Sequence, residues 1–319
     1  MGKISIVFMG SDGIALPMLQ DLFTYFKEEV YLKGVITQPD RRSGRGMKLH
    51  ANPIKNWAIE NKITVQQPVR LGNDICDWLV ELRCELIIVM AYGRILRDKL
   101  LKIPQLGVLN LHASLLPAYR GASPIPAAIA SGDRFTGVTI MRVVPELDAG
   151  PILDNEKVGI DLKDDSQSLG KKIGKAAAIV TRRNLLAIIE EKATFVPQNK
   201  EEASFTRLLN KEDGVLDFKV PANDLVNRVR ALKPWPGCFF YFDKQRIKIG
   251  EVEIDNQPSS IEPGVILGEE GGALRVGTGA GILCILELQR PGGRMLPAKE
   301  FLRGLRLECG TVLPEIRMF

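Results

Sequence analysis

ISIVFMGSDG (residues 4–13) decides how the first half of the chain folds. Ile4 to Met9 is a nearly continuous apolar run, which fits a strand covered on both faces, as in the interior of a parallel sheet. Gly10-Ser11-Asp12-Gly13 then turns the chain. Over residues 14–27 the apolar positions (Leu16, Leu19, Leu22, Phe23, Phe26) fall at helical spacing. The alternation continues outward from there. Tyr31–Thr37 reads as a strand and 53–61 as a helix opened by Pro53, with Trp57 and Ala58 facing inward. Thr64–Gln66, Leu86–Ala91 and Val108–Leu111 read as strands, with a helix over 73–83. Such alternation predicts an α/β fold, a Rossmann-like open and mostly parallel sheet with right-handed crossovers. Gly10-x-x-Gly13 lacks the G-x-G-x-x-G spacing and has no matched acidic residue, so dinucleotide binding is not expected.

After Leu111 the pattern breaks. Residues 112–126 (HASLLPAYRGASPIP) are rich in turn formers. A strand is expected over 136–144, a loop with acidic residues over 145–151, and a long amphipathic helix over 166–192. Residues 193–208 are polar and irregular and read as a linker. Short β-like runs follow: Val215–Phe218, Cys238–Phe242, Arg246–Glu253, Gly264–Leu267, Leu274–Gly277 and Ile282–Gln289, with one helix at Asn223–Leu232. Close spacing of short strands suggests a small β-barrel. GTGAG (277–281) lies between two of these strands and reads as a hairpin turn. The expected organisation is a first domain over 1–192, a linker over 193–208 and a second domain over 209–319, consistent with 319 residues at about 150 per domain.

Composition excludes several classes. With 45% hydrophobic and 25% charged residues, the chain is ordinary globular material. Its longest uninterrupted apolar run, Leu86–Ala91, is far short of the ~20 residues that cross a bilayer. The start MGKISI has no secretory pattern, and Ile6 stands where a myristoylation motif needs Ser or Thr, so a cytoplasmic or organellar-matrix protein is expected. Five cysteines without C-x-x-C spacing and only two histidines point to free thiols and no metal site.

The net charge of +5 is concentrated. Between Asp40 and Lys55, Arg41, Arg42, Arg45, Lys48 and Lys55 face one acid, Asp40. A cationic segment of this density suits a phosphate-bearing partner. Residues 203–319 carry 16 basic and 15 acidic residues, so the second half has no comparable bulk excess.

The chemistry-bearing stretch is NLHASLLP (110–117), with Asp148 some way on. Asn110 and His112 stand two apart at a strand end, so their side chains share a face at the carboxyl edge of the sheet. If the next strand is a neighbour, Asp148 in the following loop reaches His112. An amide and an imidazole can donate to a developing oxyanion, and a carboxylate beside the ring fixes its orientation. Ser114 lacks a nucleophile elbow and lies too close in sequence to His112 for a Ser–His–Asp triad to be expected.

Residues 110–153, NLHASLLPAYRGASPIPAAIASGDRFTGVTIMRVVPELDAGPIL, resemble the folate-dependent formyltransferases, whose signature is N-x-H-x-S-L-L-P with a glycine loop and a distal Asp. The resemblance implies Asn110, His112 and Asp148 as the catalytic trio. It implies that Ser114, Leu115, Leu116 and Pro117 line a site for 10-formyltetrahydrofolate, the co-substrate, with no metal. A cis Leu116–Pro117 bond is also implied. TQPDRRSGRGMKL (37–49), AYGRIL (91–96) and LKPWPGCFF (232–240) resemble the branch whose acceptor is methionyl initiator tRNA. That implies an OB-like second domain, direct transfer through a tetrahedral intermediate, and Arg41, Arg42, Arg45 and Lys48 as contacts to the tRNA acceptor end. The implied partners are that tRNA and the folate, without a membrane, for a monomeric protein.

Overall fold

The computed structural model describes residues 2–43, 47–255, 261–305 and 307–313. It divides into two compact units, one of residues 1–124, 135–159 and 170–207, the other of residues 125–134, 160–169 and 208–319.

The first unit is built on strands β1 (Ile4–Met9), β2 (Val30–Ile36), β3 (Arg41–Ser43), β4 (Lys48–His50), β5 (Thr64–Gln66), β6 (Leu86–Val89), β7 (Val108–His112), β8 (Arg120–Gly121), β9 (Phe135–Arg142), β10 (Ile152–Gly159) and β11 (Phe205–Thr206). The helices are α1 (Leu16–Thr24), α2 (Pro53–Glu60), α3 (Asn73–Glu81), the single turn α4 (Asp98–Leu101), α5 (Pro124–Ala130) and α6 (Ser166–Ile189); α5 from residue 125 and the first residues of α6, before residue 170, count with the second unit. Seven strands form one sheet in the order β10-β9-β7-β6-β1-β2-β5. β7, β6, β1, β2 and β5 are parallel, β9 runs antiparallel to β7, and β10 runs antiparallel to β9. The mostly parallel sheet expected from the alternation is therefore present.

β1 is buried along its whole length, as its apolar run requires. One apolar cluster gathers Val7, Met9, Ile36, Ile87 and Val89 from the strands against Ile75 and Leu79 of α3. At the start of α2, the Asn52 side chain accepts from the Lys55 N–H and Pro53 occupies the first turn, a favourable N-terminus.

Three segments differ from the sequence reading. α5 forms inside the Gly/Pro-rich stretch, where Pro124 suits a helix start. β10 pairs antiparallel with β9 over its full length; its half-exposed burial pattern belongs to a sheet edge and gave little apolar signal. The basic segment is a short antiparallel hairpin, with Arg41 opposite His50 and Ser43 opposite Lys48. Asp40 and Lys55 pair with each other at 2.6 Å, so the only acid of the segment neutralises Lys55 rather than the hairpin.

In the second unit, α7 (Ala222–Ala231) and α8 (Ala298–Gly304) accompany β12 (Cys238–Phe242), β13 (Gln245–Ile249), β14 (Val252–Asp255), β15 (Ile266–Glu270), β16 (Ala273–Gly277), β17 (Ile282–Ile285), β18 (Glu287–Gln289) and β19 (Leu296–Pro297). They make two four-stranded antiparallel sheets, β12-β13-β18-β19 and β14-β17-β16-β15. One core joins them, including Leu225, Phe240, Ile247, Leu274, Leu283 and Phe301. The run expected as one strand over Arg246–Glu253 is broken at Gly250. A side chain there would collide with Glu287, whose Oε2 lies 2.5 Å from the Cβ position. GTGAG is the hairpin turn between β16 and β17, with Gly281 at φ +81°. Among the described residues, no helix is long and apolar enough to cross a membrane.

Candidate active site

Asn110 and His112 stand at the carboxyl end of β7, where period-two alternation puts them on one face. β7 has β6 on one side and β9 on the other. β9 is antiparallel, so it ends beside Leu109, not beside His112. The loop over 143–151 must therefore fold back along β7 to bring Asp148 to the trio. It turns with Asp148 itself in the left-handed region, φ +45°, a conformation that Asp adopts more readily than most residues. Gly150 makes the close return possible, because a Cβ there would lie 1.8 Å from the Arg142 carbonyl oxygen.

The three side chains meet. Asn110 Nδ2 lies 3.5 Å from Asp148 Oδ1, and His112 Nδ1 lies 3.6 Å from Asp148 Oδ2. Both separations exceed a good hydrogen bond, so neither the amide nor the Nδ1 edge is tightly committed to the carboxylate. The carboxylate is fixed from elsewhere, by the Gly121 N–H, which donates to Oδ2 at 2.8 Å. Gly121 is at φ +110°, and a Cβ there would lie 2.1 Å from the Thr206 carbonyl oxygen, so only glycine fits.

The opposite edge of the imidazole is occupied. His112 Nε2 lies 2.9 Å from the Tyr119 carbonyl oxygen. A carbonyl only accepts, so the bond requires a proton on Nε2 and leaves Nδ1 as the nitrogen facing Asp148. Tyr119 holds φ +59°, an uncommon conformation for a residue with an aromatic side chain. Strain of this kind costs on the order of 1–3 kcal/mol and persists where surrounding structure imposes it. Ser114 is fully buried, and its hydroxyl donates to the Ala118 carbonyl at 2.6 Å rather than to His112. That geometry agrees with the expectation against a Ser–His–Asp triad.

An amide donor, an imidazole edge and an immobilised carboxylate around one small space suit acyl transfer, in which a carbonyl oxygen gains charge while a proton leaves the attacking atom. Residues 5–185 match the Formyl transferase family, and residues 208–306 match the Formyl transferase, C-terminal domain. The chain belongs to the formyltransferase family.

This formyltransferase is 39% identical over 311 residues to the methionyl-tRNA formyltransferase of Caldanaerobacter subterraneus subsp. tengcongensis, covering 97% of this chain and 99% of that one. It is 37% identical over 318 residues to the enzyme of the same name from Geobacter sulfurreducens, covering 99% and 98%. Its fold resembles that of WlaRD, a sugar 3N-formyl transferase solved with dTDP and 5-N-formyl-THF, at TM-score 0.65 and 21% identity, covering 92% of this chain and 100% of that one. It also resembles HypX from Aquifex aeolicus solved with tetrahydrofolic acid, at TM-score 0.60 and 16% identity, covering 93% and 46%.

The remaining expected site residues of this formyltransferase are placed as follows. Leu115 and Pro117 are partly exposed beside the trio's loop, Leu116 is buried, and the Leu116–Pro117 bond is cis. Thr139 on β9 braces the loop, accepting from the Leu116 N–H and donating to the Ser114 carbonyl. Arg41 and Lys48 are exposed on the β3–β4 hairpin, and Arg42 lies in β3. Arg45 lies outside the described residues. Among the described residues no cluster of His, Cys, Asp or Glu is arranged to hold a metal ion. All five cysteines are free, and burial pushes the Cys84 and Cys238 thiols up to about 12, which disfavours a thiolate nucleophile at either. Sequence reasoning missed Tyr119 and Gly121, because each acts through its backbone carbonyl or N–H and so leaves no side-chain chemistry to read.

Proposed function

We propose that this formyltransferase moves the formyl group of 10-formyltetrahydrofolate onto the amino group of methionyl initiator tRNA, a reaction that supports translation initiation. The observation that carries the chemistry is the meeting of Asn110, His112 and Asp148 on one face of β7. The acceptor is supported by relatives named methionyl-tRNA formyltransferase that align with both halves of the chain.

The neutral amine attacks the formyl carbon, and the formyl oxygen takes the negative charge. Asn110 Nδ2–H donates to that oxygen. His112, in its protonated form, donates from Nδ1, while Nε2–H stays on the Tyr119 carbonyl. Asp148 accepts the proton released by the attacking nitrogen and returns it, directly or through water, to N10 as the carbon–N10 bond breaks. The products are formyl-methionyl-tRNA and tetrahydrofolate, with no covalent enzyme intermediate. Ser114, Leu115, Leu116 and Pro117 form the folate-side wall; Ser114 contributes by holding the loop, since its hydroxyl is already committed. Arg41, Arg42, Arg45 and Lys48 meet the phosphates of the acceptor end, a role supported by the density of basic residues around them.

The test is an acceptor comparison with 10-formyltetrahydrofolate held constant. Charged initiator tRNA is expected to be formylated at kcat/KM above about 10⁴ M⁻¹s⁻¹, a common enzymatic value. Free methionine and nucleotide-linked amino sugars are expected to react negligibly. An amino sugar formylated as efficiently as the tRNA would refute the acceptor assignment while leaving the formyl chemistry standing.

A further inference from the structure

The segment over 193–208 has the composition of a linker, yet it is tied into the first unit at the trio. β11 pairs with β8 in parallel register, Phe205 with Arg120 and Thr206 with Gly121. The Tyr119 N–H donates to Ser204 Oγ at 2.8 Å, and the Arg120 N–H donates to the Ser204 carbonyl at 2.8 Å. Gln198, earlier in the segment, makes the most specific connection. Its Nε2 donates to the carbonyls of Asp148 at 2.9 Å and Gly150 at 2.7 Å. Its Oε1 accepts from Arg120 Nε at 3.1 Å and Nη2 at 2.8 Å. Arg120 is 2% exposed.

Every hydrogen-bonding position of the Gln198 amide is thereby used, two donated and two accepted. The orientation is also forced. Turning the amide over would set its N–H groups against a guanidinium and its oxygen against two carbonyls. The partners are not arbitrary. On one side is the turn that holds Asp148 at φ +45°. On the other is Arg120, flanked by the two residues whose backbones fix the trio: Tyr119, whose carbonyl holds His112, and Gly121, whose N–H holds Asp148.

We propose that Gln198 is a positioning residue for formyl transfer, coupling the Asp148 turn to the Tyr119–Gly121 loop so that His112 and Asp148 keep their mutual geometry. This rests on the reading of Asn110, His112 and Asp148 as the reacting groups. Gln198 itself does not touch the substrates. Its effect falls on kcat, because a displacement of about 1 Å at reacting groups can cost on the order of 100-fold.

Gln198→Glu separates the two sides of the connection. The carboxylate still accepts from Arg120 and forms an ion pair with it, but it can no longer donate to the Asp148 and Gly150 carbonyls. Formyl transfer to charged initiator tRNA is measured at saturating substrates and normalised to folded enzyme, together with melting temperature and ¹⁵N spectra of the His112 ring. The expected result is kcat lower by about 100-fold, with both KM values within about threefold, an undiminished melting temperature, and a changed His112 nitrogen environment. Gln198→Leu is run in parallel and is expected to lose at least as much kcat. A kcat within about threefold of the parent, or a loss explained entirely by unfolded protein in both variants, would overturn the proposal. Asp148→Asn in the same series keeps the two readings apart. If Asp148→Asn is inactive while Gln198→Glu is fully active, only the positioning role fails. If Asp148→Asn is itself fully active, the reading of the site fails.

Discussion

Asp148→Asn is expected to lower kcat for formyl transfer by about 100- to 10,000-fold, the range associated with loss of a general acid–base group. The substitution keeps the shape of the side chain, while its NH2 replaces the acceptor Oδ1 that lies 3.5 Å from Asn110 Nδ2. Asparagine is nearly isosteric, and its Oδ1 can still accept the Gly121 N–H that fixes the present carboxylate at 2.8 Å. What disappears is the capacity to take a proton from the attacking nitrogen. KM for the folate should therefore move little, and the loss should appear in single-turnover rates with both substrates saturating. Formyl-methionine released by deacylation of the product tRNA gives the readout. A loss below about tenfold would remove Asp148 from proton transfer, because a positioned acid–base group is worth more than that.

Asn110→Ala is the second large effect. Removing one donor to a developing oxyanion costs about 100- to 1000-fold in kcat, and the same is expected for His112→Ala. Asn110→Asp should be at least as damaging as Asn110→Ala. It removes the donor and also sets a second carboxylate against Asp148, where the amide now lies 3.5 Å away. Steady-state kcat at saturating 10-formyltetrahydrofolate and charged tRNA checks all three. A loss under about tenfold in both alanine variants would take these residues out of oxyanion stabilisation.

How much of this could be read beforehand depends on the range of each interaction. β1 was legible to the residue because an inner parallel strand is buried along its length and reads as a nearly continuous apolar run bounded by a Gly-Ser-Asp-Gly turn. The shared face of Asn110 and His112 was legible for the same local reason, since alternation along a strand needs no partner. The approach of Asp148 was not. It depends on β9 being antiparallel and on a loop that doubles back, and neither follows from the polarity of PELDAGP. Chain order gave it only on the condition that the next strand is a neighbour, and the family signature named the residue. α5 was hidden because Pro124 and Pro126 read as turn formers, although proline is well tolerated in a first helical turn. β10 was hidden by its exposed edge position. The segment over 193–208 shows the limit most clearly. Gln198, Ser204 and Thr206 are ordinary linker residues by composition, and their partners lie 48 to 87 positions away in the chain. Hydrogen bonds of that span leave no periodic trace.

The most direct test of the site is the protonation pattern of the His112 ring, observed by ¹⁵N nuclear magnetic resonance. The chain has only two histidines, so the signals of His112 and His50 separate with a single His50→Gln control. The account predicts that neutral His112 carries its proton on Nε2, donated to the Tyr119 carbonyl, and that Nδ1 is the nitrogen whose resonance moves when 5-formyltetrahydrofolate is added. A neutral ring protonated on Nδ1, with Nε2 responding to the folate instead, would reverse the imidazole and contradict the convergence of Asn110, His112 and Asp148 on one carbonyl.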